Sequence, residues 1–276
     1  MLSRPQTKIF LDSANPQDTQ TALKLLGFLD GQTTNPSLIV KVLGENVKIS
    51  ELEMLEFYKT NVQKIAELIP QGSISIEVYA DETTSPEDIY NQAIMLNQWI
   101  PNAHIKFPTI PNALLAAEKF LTEGGRINFT LVFNQSQALA IHLLANSCQV
   151  HKGQVFVSPF VGRLDDIGQN GVDLLKNIQQ MYQELNSPVE ILGASIRNLN
   201  HLQYCLNINL DIVTLPLAVI QQWVEQPSTN YEPQLLTPIP YENLDYSLSW
   251  REINIEHPLT TKGLLKFAAD WKSCLY

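Results

Sequence analysis

Cysteine is scarce in this chain: Cys148, Cys205 and Cys274 are the three among 276 residues. They are odd in number and widely spaced, and no CxxC pair occurs. That excludes a disulfide scaffold and leaves reduced thiols of a cytoplasmic protein as the expectation. The histidines, His104, His142, His151, His201 and His257, show no metal-ligand spacing either, so no metal is expected. Positive charge is in short supply, with 18 Lys and Arg against 28 Asp and Glu and a net charge of -10. Such a surface repels a phosphate backbone and argues against nucleic acid as a partner, while a few local arginines still suffice to bind a phosphorylated metabolite. No apolar run reaches the length of a membrane span, and the start, Met1 to Thr7, is short and polar, so neither a membrane partner nor a signal region is expected. No GxGxxG follows the first strand signal, which weakens a dinucleotide-binding sheet.

What the chain does have is alternation. Strand signals fall at Lys8–Asp12, Gly31–Asn35, Ser73–Val78, Ala103–Pro108, Ile127–Val132, Val155–Pro159, Val189–Ala194 and Ile212–Leu215. Helical periods lie between them. Asn15-Pro16 starts the first helix and Gly27 closes it; Ser85 caps another, with Asp88 in its first turn. Eight strand–helix units argue for parallel pairing in an α/β fold, and a closed (β/α)8 barrel is the expected form over residues 1–225. A doubly wound open sheet is the rival. Gln226 to Pro240 carries four prolines and no period, so 226–257 reads as an insert, with room for a short strand at Ser249–Ile255. Residues 258–276 form a last amphipathic helix, about Lys262–Trp271. Its apolar face is Leu264, Leu265, Phe267, Ala268 and Trp271, and it is expected to pack on the barrel or on a neighbouring subunit.

In such a barrel the chemistry sits at the carboxyl ends of the strands. Those ends present Asp12, Thr33, Asn35, Glu77, Lys106, Asn128, Thr130, Ser158, Ser195 and Arg197. Each has a structural explanation on its own: Asp12 as a helix cap, Asn35 as a turn, Ser158 as a backbone partner, Glu77 in solvent. Their occurrence around one lysine favours a site. Lys106 stands between Ile105 and Phe107 in a short run stopped by Pro108. A buried amine loses hydration, which disfavours its charged form, and a neutral amine is a nucleophile able to form a Schiff base with a carbonyl. Arg163 and Arg197 follow strands six and seven, where such barrels often bind phosphate, and an arginine fork suits phosphate oxygens. The alternative for Arg163 is an ion pair with Asp165 or Asp166.

The sequence resembles the transaldolase family, in particular its compact branch that includes the fructose-6-phosphate aldolases. The resemblance runs through Ile9-Phe10-Leu11-Asp12, Thr33-Thr34-Asn35-Pro36-Ser37-Leu38, Ser75-Ile76-Glu77-Val78, Ile105-Lys106-Phe107-Pro108 and Asn128-Phe129-Thr130-Leu131. It continues in Ser158-Pro159-Phe160-Val161-Gly162-Arg163 and Gly193-Ala194-Ser195-Ile196-Arg197-Asn198. It implies cofactor-free class I aldolase chemistry on sugar phosphates in the pentose phosphate pathway, in an enzyme that assembles as a homo-oligomer. By resemblance, Lys106 is the Schiff-base lysine and Asp12 the acid/base at the ketose hydroxyl. Glu77 and Thr130 order a water for proton transfer. Thr33, Asn35, Asn128 and Ser158 hold the three-carbon unit; Arg163, Ser195 and Arg197 clamp the phosphate.

Two positions separate subtypes. The aldolases of the family resemble one another in having Gln where this chain has Glu77 and Tyr where it has Phe160. Both choices here point to transfer over acceptor-free cleavage. Release of free dihydroxyacetone is the alternative activity, and a non-catalytic sugar-phosphate-binding protein is a more distant one. The compact branch passes almost directly from the strand-eight helix to the last helix, so the segment 226–257 is expected to be a departure from it.

Overall fold

The computed structural model describes residues 3–44, 47–227 and 230–276. Met1 and Leu2 of the polar start, and Ser228 and Thr229 of the proline-rich segment, lie outside the described residues. Strands β1 (Lys8–Asp12), β2 (Gly31–Thr33), β3 (Ser73–Glu77), β4 (Ala103–Pro108), β5 (Ile127–Val132), β6 (Val155–Pro159), β7 (Glu190–Gly193) and β8 (Ile212–Leu215) pair in parallel in chain order. Strand β8 pairs back onto β1 and closes the barrel. The open-sheet rival is thereby excluded. Around it run α1 (Pro16–Leu26), α2 (Pro36–Leu43), α3 (Glu51–Leu68), α4 (Pro86–Asn97), α5 (Pro111–Thr122) and α6 (Gln135–Ser147). They are followed by α7 (Val161–Asp165), α8 (Gly171–Glu184), α9 (Leu199–Asn207), α10 (Leu217–Glu225) and α11 (Pro258–Ser273).

The alternation of side chains along β4 decides what is inside. Ile105 and Phe107 turn out to the helical layer, where the Phe107 ring meets Phe120 of α5 at 5.9 Å. His104 and Lys106 turn into the barrel, and His104 stacks on Phe156 at 4.2 Å. Phe10 closes the floor against Phe156 at 6.1 Å. Gly31 makes room for it: a Cβ there would lie 2.6 Å from Phe10 Cζ and 2.4 Å from the Ser73 carbonyl oxygen. Above this apolar floor the inward positions become polar. Glu77 lies in register with Lys106, Lys106 with Asn128, and Asp12 with Thr33.

Strand β2 ends at Thr33, two residues before the expected Asn35, because Asn35 is the N-cap of α2: its side chain accepts from Leu38 N at 2.9 Å, and Pro36 opens the helix. The charged stretch after β6 is not all loop; Val161–Asp165 coils into α7. Ser249–Ile255 forms turns and no strand. The described residues of 226–257 are held from outside the sheet by backbone and side-chain hydrogen bonds. Thr237 exchanges backbone hydrogen bonds with Gly168 and Asn170, both at 2.8 Å, Asn177 donates to Ile239 O at 2.9 Å and Pro240 O at 3.1 Å, and Gln137 donates to Ile255 O at 3.0 Å.

That segment delivers α11 across the carboxyl ends of the strands of its own chain. Thr260 Oγ1 donates to Leu131 O at 2.9 Å, at a point where β5 bulges and Leu131 takes a φ of 61°. Trp271 packs on Tyr58 and Tyr79 at 6.3 and 6.4 Å. Leu264, Phe267, Ala268 and Trp271 are buried as expected, whereas Leu265 is exposed, on the outer side of the helix.

Candidate active site

Lys106 reaches the upper polar layer from the middle of β4 and is 4% exposed. Its Nζ lies 3.1 Å from Glu77 Oε2 and donates to the Thr34 carbonyl at 3.2 Å. Asp12 stands at the same level, its Oδ1 accepting from Thr33 Oγ1 at 2.7 Å, and Thr33 is in turn 2.7 Å from Thr214 Oγ1. Burial raises the pKa of Asp12 above the usual carboxylate value, against the opposing charge of Lys106 and the Thr33 hydrogen bond. Burial raises Glu77 too, again opposed first by Lys106.

The rest of the layer is a hydrogen-bonded chain. Ser158 Oγ donates to Asn128 Oδ1 at 2.6 Å, and Asn128 Nδ2 donates to Ser75 Oγ at 3.0 Å. These bonds fix the Asn128 amide in one orientation. One buried oxygen stands apart: among the described residues Thr130 Oγ1 has no hydrogen-bond partner, whereas Glu77 Oε2 faces the Lys106 amine at 3.1 Å. Buried polar atoms are normally paired, so Thr130 Oγ1 keeps an unmet hydrogen-bonding capacity.

The arginines separate. Arg163 lines the cleft, its guanidinium held between the rings of Phe160 at 4.9 Å and Phe267 at 5.3 Å. Burial lowers its pKa from the ordinary arginine value, with Glu77 the main opposing charge. Arg197 instead grips Asp166 through both nitrogens, at 2.5 and 2.7 Å, and does not line the cleft. Asp165 pairs with His201 at 2.7 Å. The ion pair weighed for Arg163 therefore falls on Arg197. Ser195, with φ 56°, does line the cleft.

The cleft holds about 210 Å³ and is bounded by Asp12, Thr33, Asn35, Lys106, Ser158, Phe160, Arg163 and Ser195 of the expected set. Glu77, Asn128 and Thr130 sit behind that wall, buried in the layer that carries Lys106. Sequence reasoning missed Ser37, Thr214, Lys266 and Phe267, which also line it. Thr214 was legible as the polar residue in the last strand. Lys266 and Phe267 come from α11, and no periodicity says that a terminal helix will cross the barrel mouth. Lys266 pairs with Asp270 at 3.0 Å, and Asp270 also accepts from Ser37 Oγ.

Fold and cleft together define a (β/α)8-barrel protein whose carboxyl-end cleft is centred on a buried lysine. The chain belongs to the transaldolase/fructose-6-phosphate aldolase family, whose model matches residues 9–276. It is 34% identical over 266 residues to a "Probable transaldolase" of Dehalococcoides mccartyi, covering 96% of this chain and 98% of the relative. It is 37% identical over 265 residues to a "Probable transaldolase" of Bartonella henselae, covering 96% of each. Among solved structures, 3-dehydroquinate dehydratase from Enterococcus faecalis shares the fold, with a TM-score of 0.50 at 13% identity over 82% of this chain and 95% of that one. Among the described residues no helix is long and apolar enough to cross a membrane.

Proposed function

We propose that this protein is a transaldolase. It moves a dihydroxyacetone unit from a ketose phosphate (sedoheptulose 7-phosphate or fructose 6-phosphate) to an aldose phosphate (glyceraldehyde 3-phosphate or erythrose 4-phosphate) through a Schiff base on Lys106. The observation that carries the reading is the buried Lys106 amine flanked by Glu77 and Thr34, in one cleft with Asp12 and Arg163.

The chemistry follows from the layer. The Lys106 amine adds to the ketose carbonyl, and the carbinolamine loses water to give an iminium. Glu77, paired with the Lys106 amine, and Thr130, whose Oγ1 has no hydrogen-bond partner among the described residues, hold the water that relays those protons. Asp12 takes the proton from the hydroxyl next to the scissile bond. The carbon–carbon bond then breaks and its electron pair moves into the iminium, forming an enamine. A carboxyl raised by burial suits a group that must both take and return a proton. Asn35, Asn128 and Ser158 hold the enamine while the aldose phosphate exchanges. Arg163 and Ser195 receive the phosphate, and Arg197 joins them by releasing Asp166.

Phe160 favours transfer over simple cleavage. Its ring lines the cleft with no hydroxyl to protonate the enamine, and Phe267 helps to cover the same cleft. A coupled transfer assay with borohydride trapping tests the proposal. The expected result is one reduced adduct, on Lys106, with Lys106→Met folded and inactive. An adduct elsewhere, or rapid acceptor-free release of dihydroxyacetone from fructose 6-phosphate, would sink it.

A further inference from the structure

We infer that Tyr58 is a positioning residue for Lys106, acting through Thr34 and Glu77; the inference rests on the Schiff-base reading of the site. Its ground is a gap in the β2–β3 ladder. On the face of β3 toward β2, Ser73 N donates to Asp30 O at 3.0 Å. The parallel ladder advances two residues per step on each strand, so Glu77 N should meet the carbonyl of Thr34. It does not. The chain has already left the sheet for the Asn35 cap and Pro36 of α2.

Tyr58, on α3, fills the place of that carbonyl. Glu77 N donates to Tyr58 Oη at 3.1 Å. Thr34 Oγ1 donates to Ser75 O at 2.7 Å, so the short bond between Thr34 and Tyr58 runs from the phenol O–H to Thr34 Oγ1. One hydroxyl thus anchors the two residues that touch the amine: Thr34, whose freed carbonyl accepts from Lys106 Nζ at 3.2 Å, and Glu77, whose carboxylate lies 3.1 Å from it. The side chain is 1% exposed, and its ring is set by Trp99 at 5.7 Å and by Trp271 of α11 at 6.3 Å. Burial raises the phenol far above its ordinary range, so it stays a donor at any working pH.

Tyr58→Phe removes the hydroxyl and keeps the ring. Its kcat should fall about tenfold while KM stays within about twofold, the pattern of a lost alignment rather than of lost binding. Thr34→Val should do the same, Thr34→Ser should retain activity, and the Tyr58→Phe/Thr34→Val pair should be no worse than the poorer single variant, because the Thr34 contact is one of the two that Tyr58→Phe already removes. A second measurement needs no sugar. Reductive methylation of Lys106 by formaldehyde and cyanoborohydride, followed by mass spectrometry, should be at least about threefold slower in Tyr58→Phe than in wild type, as the amine is no longer held toward the cleft. An equal methylation rate, or additive losses in the double variant, overturns the inference even if Tyr58→Phe melts earlier. Failure of the wild type to be trapped by a ketose phosphate would count against the transaldolase proposal alone and leave methylation to decide the role of Tyr58.

Discussion

Asp12 shows how burial shapes single residues here. Its carboxyl is raised by desolvation although Lys106 and Thr33 both favour the anion. A carboxyl raised in the folded state contributes stability only while it is protonated. That contribution is complete below the unfolded value of about 4 and is lost as pH rises through the folded value. The wild type therefore carries a penalty at neutral pH that Asp12→Asn removes. The variant should be inactive, should melt higher than wild type at pH 7, and should lose that advantage near pH 4, as thermal unfolding at the two pH values will show. The same shift, shared by Glu77, places the acid limb of the pH–rate profile above the ordinary carboxylate range, which a kcat profile checks. The residue types were legible from sequence because strand ends are where a barrel exposes polar groups. The partners were not. Asp166 chose Arg197 and left Arg163 between two rings, a choice made by where α7 and α11 lie in space.

The decisive element is α11. Gly263 lets it approach the cleft: a Cβ there would sit 2.5 Å from Arg163 Nη1 and 2.5 Å from Leu131 Cδ2. Leu131 is itself held at φ 61° in the β5 bulge, so it has little freedom to yield. Gly263→Ala should push Arg163 aside, raising KM for phosphorylated substrates about fivefold and costing roughly 1–3 kcal/mol of stability, the range for overpacking a fitted contact. Steady-state kinetics and a urea titration measure the two effects. Most elements were readable from caps and period: Pro16–Leu26 has its Asn15 cap and Gly27 stop, and β4 has its proline stop. The exceptions were local competitions. Asn35 served as a cap and shortened β2, and Ser249–Ile255, β-like in composition, had no strand edge to join in a sheet already closed on itself.

At the scale of the whole molecule, a closed barrel leaves the carboxyl ends open, and the outer segment 226–257 brings α11 back over them. A chain ending at His257 should lose transfer activity, because Phe267 no longer backs Arg163 and Trp271 no longer covers Tyr58. It should also melt well below the full chain, as several buried apolar side chains of Pro258–Ser273 lose their cover. Circular dichroism melts and the coupled assay give both outcomes. By itself the sequence determined the parallel α/β alternation, the eight strands and the polar strand ends with Lys106 among them, because period, caps and stops are written locally. Only the tertiary structure decided that Lys106 points inward while its apolar neighbours point out. It alone set Tyr58 where a β2 carbonyl would have been, and took the last helix across the mouth of its own barrel. Those outcomes depend on closure of the sheet and on contacts between residues far apart in the chain, which no window of sequence contains.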